Sequence, residues 1–225
     1  MKYTSLFLDL DNTLLDFNMA EKQAVKRVLA DHGLPAGDET ASLYSAINKS
    51  YWERFERGEI PKSAIFVGRF ETLLEKLDRT GDAAAISETY CRYLSDGFFT
   101  VDGAFALLDY LKEKGYRLYA TTNGLSSTQY KRIDGSGLRP YFDGIFVSED
   151  AAAQKPQKEY FEYVIAHIPE KDRSHMLVLG DSQSSDILGG INAGIDTCWF
   201  NPTRQPARFA ATYEIHDLAD LKTIL

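Results

Sequence analysis

Apolar runs and helical periodicities divide this chain into two kinds of sequence. Residues 3–10 form a short apolar run, rich in aromatic and aliphatic side chains, that ends abruptly in Asp, Asn and Thr. Runs of this length bounded by turn-forming residues are typical of buried β-strands. From about residue 18 to residue 96, apolar residues instead recur at the spacing of amphipathic helices. This segment predicts four helices, at residues 21–30, 40–57, 64–77 and 83–94.

After Gly103 the sequence alternates between the two patterns. Strands are predicted at residues 117–122, 144–147, 176–179 and 197–200, and helices at residues 104–114, 127–133, 158–168 and 185–193. Such alternation implies right-handed crossovers and a mostly parallel sheet with helices on both faces. We therefore predict an α/β fold with a discontinuous, Rossmann-like parallel sheet core, residues 1–16 and 98–225. A small all-helical domain, residues 17–97, is inserted after the first strand.

Composition narrows the possible partners and the cellular setting. The 225 residues include 25 Lys and Arg against 33 Asp and Glu, a formal net charge of −8. Because nucleic-acid polymers bind to clustered positive charge, we expect no such partner, although a single phosphate can still bind through a metal or a local cation.

Cys91 and Cys198 lie far apart, which argues against a disulfide framework and a thiolate zinc site. The chain has no signal-peptide pattern and no run of about eighteen apolar residues. We expect a cytoplasmic monomer or homodimer with no membrane partner.

Four of the predicted strands lead to residues that can carry chemistry. The first strand leads to Asp9 and Asp11, the second to Thr122 and Asn123, the third to Lys155, and the fourth to Asp181 and Asp186. Each segment alone has a simpler explanation, since Asp and Asn form turns, a lone Lys is usually solvated, and an acid suits the first turn of a helix. In a parallel sheet, however, the carboxyl ends of the strands meet at the edge where open α/β sheets bind ligands.

The convergence of acids, a hydroxyl and a lysine at one sheet edge favours phosphoryl transfer. Asp9 and Asp11 at the end of a buried strand are costly together unless a cation or a shared proton relieves their repulsion. Mg²⁺ prefers oxygen ligands, usually one or two carboxylates with water and substrate phosphate. A carboxylate nucleophile beside a second carboxyl group suits transfer through an aspartyl-phosphate.

In this order the segments resemble the four motifs of the haloacid dehalogenase-like (HAD) hydrolase superfamily. The matching residues are Asp9-Leu10-Asp11-Asn12-Thr13, Thr122-Asn123-Gly124, Lys155-Pro156, and Gly180-Asp181 with Asp186. The resemblance spans the whole chain, because the helical insertion falls where that family places a small cap domain. It implies a phosphatase in which Asp9 is the nucleophile and Asp11 is the general acid and then the general base.

The resemblance also implies how ligands are bound. The Mg²⁺ ligands would be Asp9, the backbone carbonyl of Asp11, and Asp181, and the phosphoryl group would be bound by Thr122, Asn123 and Lys155. Asp186 would contact these ligands without binding the metal itself, or would reach the metal through a bound water.

The details of the resemblance favour one substrate class. Haloacid dehalogenases themselves use a single Asp with no partner two residues on and need no metal, so the presence of Asp11 favours phosphoryl transfer. Residues 189–202, GGINAGIDTCWFNP, look like the pyrimidine 5'-nucleotidase branch. This likeness implies a small phosphorylated metabolite as the partner, a (deoxy)pyrimidine nucleoside monophosphate. Two alternatives stay open: a phosphatase or phosphomutase acting on a sugar phosphate or another small ester, and a non-catalytic phosphate-binding module.

Overall fold

The computed structural model describes residues 2–225, and its described residues form one six-stranded sheet. The strands are β1 (Ser5–Leu8), β2 (Arg117–Thr122), β3 (Gly144–Val147), β4 (Met176–Gly180), β5 (Asp196–Phe200) and β6 (Tyr213–Ile215). They lie in the order β3-β2-β1-β4-β5-β6, and every neighbouring pair is parallel. The chain order reverses between β1 and β4, and the crevice beyond their carboxyl ends is where such sheets bind ligands.

The described chain divides into two compact units. The first unit comprises the described residues through Asp16 together with Thr100–Leu225, and the second, which we call the helical unit, is Phe17–Phe99. The helical unit contains α1 (Phe17–Asp31), α2 (Asp38–Glu56), α3 (Lys62–Lys76) and α4 (Ala83–Leu94). The first unit contains α5 (Ala104–Glu113), α6 (Ser126–Ser136), α7 (Ser148–Ala151), α8 (Lys158–Ala166) and α9 (Leu188–Ala193). Within residues 2–225, no helix combines the length and the apolar character needed to cross a membrane.

The sheet is buried on both faces, which explains why its strands are continuously apolar. Leu6 and Leu8 of β1 belong to a core cluster on one face, together with residues of α5. Phe7 belongs to the cluster on the other face, where it packs near Phe161 of α8 with ring centroids 6.1 Å apart. Successive side chains of a strand point to opposite faces of the sheet, and both sets are apolar here, as expected for a parallel sheet covered by helices. The predicted α/β fold is confirmed.

Element boundaries depart from the sequence pattern at several places, of which three concern the sheet and its carboxyl edge. The first strand was expected over residues 3–10, but its paired part is only Ser5–Leu8. The helix expected at 185–193 begins earlier, as a π-helical turn over Gln183–Ile187 that precedes α9. The sequence did not predict β6, because only Ile215 of its three residues is buried and so short an edge strand shows no periodicity.

Aromatic rings from three helices form the centre of the helical unit. Tyr44 stacks on Phe70 with ring centroids 5.0 Å apart, and Tyr90 lies 5.2 Å from Tyr44 and 5.4 Å from Phe70. The guanidinium of Arg69 is buried beside these rings and donates a 2.8 Å hydrogen bond to Asn48 Oδ1. The unit thus has its own core, in which a buried charge is matched by a polar partner and aromatic faces.

In the first unit, α9 packs against β5 through a glycine. A Cβ atom at Gly190 would lie 2.3 Å from Cγ2 of Thr197. Thr197 is buried and β-branched, so its methyl group has little freedom to turn away. The close approach of helix and strand therefore requires glycine at position 190.

We expect Gly190→Ala to lower the free energy of unfolding by about 1–3 kcal/mol, because the added methyl overpacks the contact with Thr197. Thr197→Ser removes the opposing methyl but keeps the hydroxyl, which accepts a 3.2 Å hydrogen bond from the Thr212 N–H. In the Thr197→Ser background Gly190→Ala should therefore cost less. Urea denaturation of the wild type, both single variants and the double variant measures this difference. Equal costs in both backgrounds would rule out the methyl contact as the cause.

Candidate active site

Lys155 lies at the centre of a buried charge cluster at the carboxyl edge of the sheet. It falls between α7 and α8, and 1% of the residue is exposed. Its ammonium group donates to Asp9 Oδ1 at 2.7 Å, to Asp186 Oδ1 at 2.7 Å and to the Thr121 carbonyl at 2.8 Å. Since an ammonium group has three N–H donors, these contacts use its full capacity. The cluster joins residues that β1, β2 and β4 bring to the same edge.

Asn123 holds the backbone of Lys155 with both ends of its amide. Asn123 Nδ2 donates to the Lys155 carbonyl at 2.8 Å, and the Lys155 N–H donates to Asn123 Oδ1 at 2.9 Å. The sequence predicted Asn123 as a phosphate-binding residue. Its side chain fixes the loop that carries Lys155, a positioning role that the motif alone did not reveal, and its contact with phosphate stays a prediction.

Asp186 reaches Lys155 because the residue that ends β4 is a glycine. A Cβ atom at Gly180 would lie 2.2 Å from the Asp186 carboxyl group. The Asp186 carboxylate accepts a further hydrogen bond from the Ser182 N–H at 3.1 Å. The π-helical turn after β4 thus brings Asp186, which is 1% exposed, inward to the cluster.

Thr13 connects the first and fourth motifs. Its hydroxyl donates to Asp9 Oδ2 at 3.2 Å and accepts from the Asp181 N–H at 3.1 Å. The Trp199 indole N–H donates to the Asp181 carbonyl at 2.8 Å, so the backbone of Asp181 is held from both sides. These contacts fix Asp9 and Asp181 next to each other across the β1–β4 crevice.

Burial and mutual repulsion shift the protonation of these groups. Burial raises the pKa of Asp9 to about 7, and the Asp186 carboxylate adds to the rise while the Lys155 ammonium opposes it. Burial raises the pKa of Asp181 well above its usual range, and the charges of Asp9 and Asp186 raise it further. Burial works in the opposite direction on Lys155, but the carboxylates of Asp186 and Asp9 outweigh it and raise the Lys155 pKa. Lys155 therefore stays charged, and the carboxylates bear the unrelieved repulsion.

Three carboxylates lie close enough to share one cation. Asp9, Asp181 and Asp186 each offer an oxygen within 4.8 Å of the others. When all three are ionised, one lysine opposes three negative charges. The all-oxygen donor set and the excess negative charge fit a hard divalent cation such as Mg²⁺. The metal ligands expected from the sequence were Asp9, Asp181 and the backbone carbonyl of Asp11; the structure adds the Asp186 carboxylate directly to the cluster.

The carboxylate of Asp11 faces a different set of partners. It forms an ion pair with Arg132, a fully buried residue of α6, and it accepts a 2.9 Å hydrogen bond from Gln129 Nε2. Gln129 Nε2 also lies 2.8 Å from Thr122 Oγ1, which places the predicted phosphate-binding hydroxyl beside the predicted acid–base residue. The structure thus brings Asp11 and Thr122 together through α6.

Gln129 and Arg132 were not predicted as site residues. They are three residues apart, the spacing at which side chains share one face of a helix. The helix that carries them follows Thr122 by only a short turn, so it begins at the ligand-binding edge of the sheet. The spacing of a Gln and an Arg on one helix face was the sequence feature that could have indicated these two residues, but the pair belongs to no recognised motif.

In the absence of divalent cations, Asp181→Asn should raise the thermal unfolding midpoint at pH 8 and have less effect toward pH 5. Because the Asp181 pKa is raised in the folded state, the folded protein retains a proton that the unfolded chain releases above about pH 4. The wild type therefore loses stability as the pH rises through this window, and the variant avoids that loss.

Asp134→Asn is the matched control for this measurement. Asp134 is exposed, and its hydrogen bond with Arg139 lowers its pKa. It is therefore ionised in both states between pH 5 and pH 8, so the effect of its replacement should not change with pH. Thermal unfolding in EDTA across this range tests both variants. A destabilised Asp181→Asn variant at pH 8 would contradict the charge balance described above.

Comparison with known proteins relates most of the chain to one family. Residues 3–194 match the family described as haloacid dehalogenase-like hydrolase. The chain is 38% identical over 223 residues to pyrimidine 5'-nucleotidase PynA of Streptococcus pneumoniae, spanning 98% of this chain and 94% of PynA. It is 33% identical over 227 residues to pyrimidine 5'-nucleotidase YjjG of Escherichia coli, spanning 100% of this chain and 99% of YjjG.

A solved structure agrees with this relation. The crystal structure of YfnB from Bacillus subtilis, bound to magnesium, matches with a TM-score of 0.94 at 42% identity, covering 100% of this chain and 99% of YfnB. The resemblance inferred from the four motifs is confirmed, and the chain belongs to the haloacid dehalogenase-like hydrolase family.

Proposed function

We propose that this protein is a Mg²⁺-dependent phosphomonoester hydrolase that acts through an aspartyl-phosphate on (deoxy)pyrimidine nucleoside 5'-monophosphates. The observation that carries the reaction class is the cluster in which Lys155 holds Asp9 beside two further carboxylates at the ligand-binding edge of the sheet. The relatives PynA and YjjG, both pyrimidine 5'-nucleotidases, support the substrate class because the alignments span nearly the whole chain.

Asp9 is the proposed nucleophile. One of its carboxylate oxygens attacks phosphorus in line; a P–O bond to Asp9 forms as the bond to the nucleoside oxygen breaks. Lys155 and Thr13 each hold one oxygen of Asp9, at 2.7 Å and 3.2 Å. The carboxylate is therefore oriented before substrate binds, which lowers the entropy lost on the way to the transition state.

Asp11 is the proposed general acid and base. In the first half-reaction it donates a proton to the departing nucleoside oxygen. In the second, the ionised Asp11 removes a proton from a water molecule whose oxygen attacks the aspartyl-phosphate. Phosphate leaves, and the carboxylate of Asp9 is regenerated.

The remaining site residues have proposed roles in neutralising charge. Asp9 and Asp181, with Asp186 beside them and the Asp11 backbone carbonyl implied by the family, would hold Mg²⁺. When bound, Mg²⁺ supplies positive charge for the oxygens that gather negative charge in the transition state. Thr122 would donate its hydroxyl to a phosphoryl oxygen, and the Lys155 ammonium would offset the charge on Asp9 and the phosphoryl group.

We also propose that the helical unit is the cap domain and that the first unit is the catalytic core. All residues assigned a chemical role here lie in the first unit. The magnesium-bound crystal structure of YfnB reveals interdomain movement, which supports the assignment of a separate cap domain.

Asp9→Asn should reduce phosphate release by about a thousandfold or more at saturating Mg²⁺, because an amide oxygen cannot form the aspartyl-phosphate. EDTA should abolish wild-type turnover, and added Mg²⁺ should restore it. Asp134→Asn, an exposed acid outside the site, is the control and should keep the wild-type rate. Phosphate release is measured under multiple turnover, and a wild-type rate in Asp9→Asn would defeat the assignment of the nucleophile.

A substrate panel tests the proposed specificity. We expect kcat/KM for dUMP, dTMP or UMP to exceed that for sugar phosphates by about tenfold or more, since contacts to the leaving group contribute to transition-state binding. Hydrolysis of sugar phosphates without any nucleotide turnover would overturn the nucleotidase proposal but keep the phosphatase. Phosphate binding with no Mg²⁺-dependent turnover of any ester would instead support a non-catalytic module.

A further inference from the structure

Gln129 joins two parts of the proposed site that belong to separate sequence motifs. It lies in α6 and is 1% exposed. Its Nε2 donates to Asp11 Oδ2 at 2.9 Å and to Thr122 Oγ1 at 2.8 Å. Its Oε1 accepts a hydrogen bond from the Arg132 guanidinium at 3.1 Å. One buried amide therefore contacts both the proposed acid–base residue and the proposed phosphoryl ligand.

These contacts set the direction of the Thr122 hydroxyl. A hydroxyl oxygen has two acceptor positions and one donor hydrogen. The Gly124 N–H donates to Thr122 Oγ1 at 3.1 Å and Gln129 donates to it at 2.8 Å, so both acceptor positions are taken. The hydroxyl hydrogen is left to donate, which is the polarity that an anionic phosphoryl oxygen requires.

The same amide orients Asp11. One carboxylate oxygen of Asp11 accepts from Gln129 and the other from Arg132. Each carboxylate oxygen has a second lone-pair position, so the group can be held at both oxygens while one lone pair stays available to the substrate. Holding both oxygens restricts the side chain to one orientation before the substrate arrives.

The turn after β2 is shaped to admit Gln129. A Cβ atom at Gly124 would lie 2.6 Å from Cγ of Gln129 and 2.9 Å from its Nε2. A larger residue at position 124 would therefore displace the amide from Thr122 and Asp11. The glycine of this motif and the glutamine of α6 are fitted to each other.

We infer that Gln129 is a positioning residue that keeps the Thr122 hydroxyl donating toward the phosphoryl group and keeps Asp11 aligned with the leaving oxygen. The inference rests on the proposed function and deepens it, because one side chain would position both Thr122, which binds the phosphoryl group, and Asp11, the acid–base residue. Gln129 contacts no reacting atom in this scheme, so its effects must pass through Thr122 and Asp11.

Binding of inorganic phosphate in the presence of Mg²⁺ tests the link to Thr122 without turnover. Gln129→Met keeps the side-chain length but removes the amide, and it should weaken phosphate binding about five- to tenfold. In a Thr122→Val background the same change should cost less than about twofold, because the hydroxyl it acts on is gone. Isothermal titration calorimetry measures all four affinities. A full loss in both backgrounds, or no loss in either, overturns this link.

Two further variants guard this test against a general disturbance of α6. Ser136→Ala removes a hydroxyl that bonds to the Ile133 carbonyl of the same helix at 3.1 Å, and it should bind phosphate like the wild type. Gln129→Glu places an acceptor where the amide donated, so the Thr122 hydrogen turns inward. It should weaken phosphate binding at least as much as Gln129→Met, and wild-type affinity would contradict the inference.

Esters with different leaving groups test the link to Asp11. A nucleoside oxygen needs a proton as it departs, whereas p-nitrophenolate does not, so poor alignment of Asp11 should harm only the first reaction strongly. Gln129→Met should lower kcat/KM for dUMP about fivefold more than for p-nitrophenyl phosphate. Equal losses on both esters would indicate a merely structural role.

The two proposals can fail separately. A wild-type protein that hydrolyses no ester would defeat the proposed function, whereas the phosphate-binding measurements would still test whether Gln129 positions Thr122.

Discussion

A single buried ammonium group holds together the edge of the sheet where this protein's chemistry is expected. Lys155 contacts a carboxylate that follows β1, a carbonyl within β2 and a carboxylate in the turn that follows β4. An exposed ion pair contributes little to stability, whereas a buried carboxylate left without its partner is strongly destabilising. Neighbouring features serve these contacts: the amide of Asn123 fixes the Lys155 backbone, and the glycine at position 180 leaves room for Asp186.

The same cluster carries more negative than positive charge, and this imbalance suits it to bind a cation. Asp9, Asp181 and Asp186 oppose one lysine, and the burial of Asp9 and Asp186 limits how far water can screen this excess negative charge. A bound divalent cation would relieve this repulsion and would allow a phosphate ester to bind, although the net charge of the whole chain is −8. Folding and metal binding would therefore be coupled at this edge, since the carboxylates that oppose the stability of the free protein are those proposed to bind the metal.

Much of this arrangement could be predicted from the sequence, and the exceptions have a common cause. The parallel sheet followed from apolar runs buried on both faces, and the meeting of Asp9, Lys155, Asp181 and Asp186 followed from the topology of such a sheet. The amide contacts of Asn123 and Gln129 could not be predicted, because they depend on side-chain orientation and on the rotation of α6 against the sheet. Hydrophobic spacing determines which face of a helix is buried, but it does not determine which polar atoms meet.

The account depends on Asp9 being the residue that receives the phosphoryl group beside Lys155 and a bound cation. A crystal structure of the protein with Mg²⁺ and beryllium fluoride tests this most directly, because that complex imitates an aspartyl-phosphate. The predicted result is beryllium bonded to an Asp9 carboxylate oxygen, a fluoride within hydrogen-bonding distance of the Thr122 hydroxyl, and Mg²⁺ coordinated by Asp9 and Asp181. Beryllium fluoride bonded to another residue, or Mg²⁺ bound away from these carboxylates, would contradict the account.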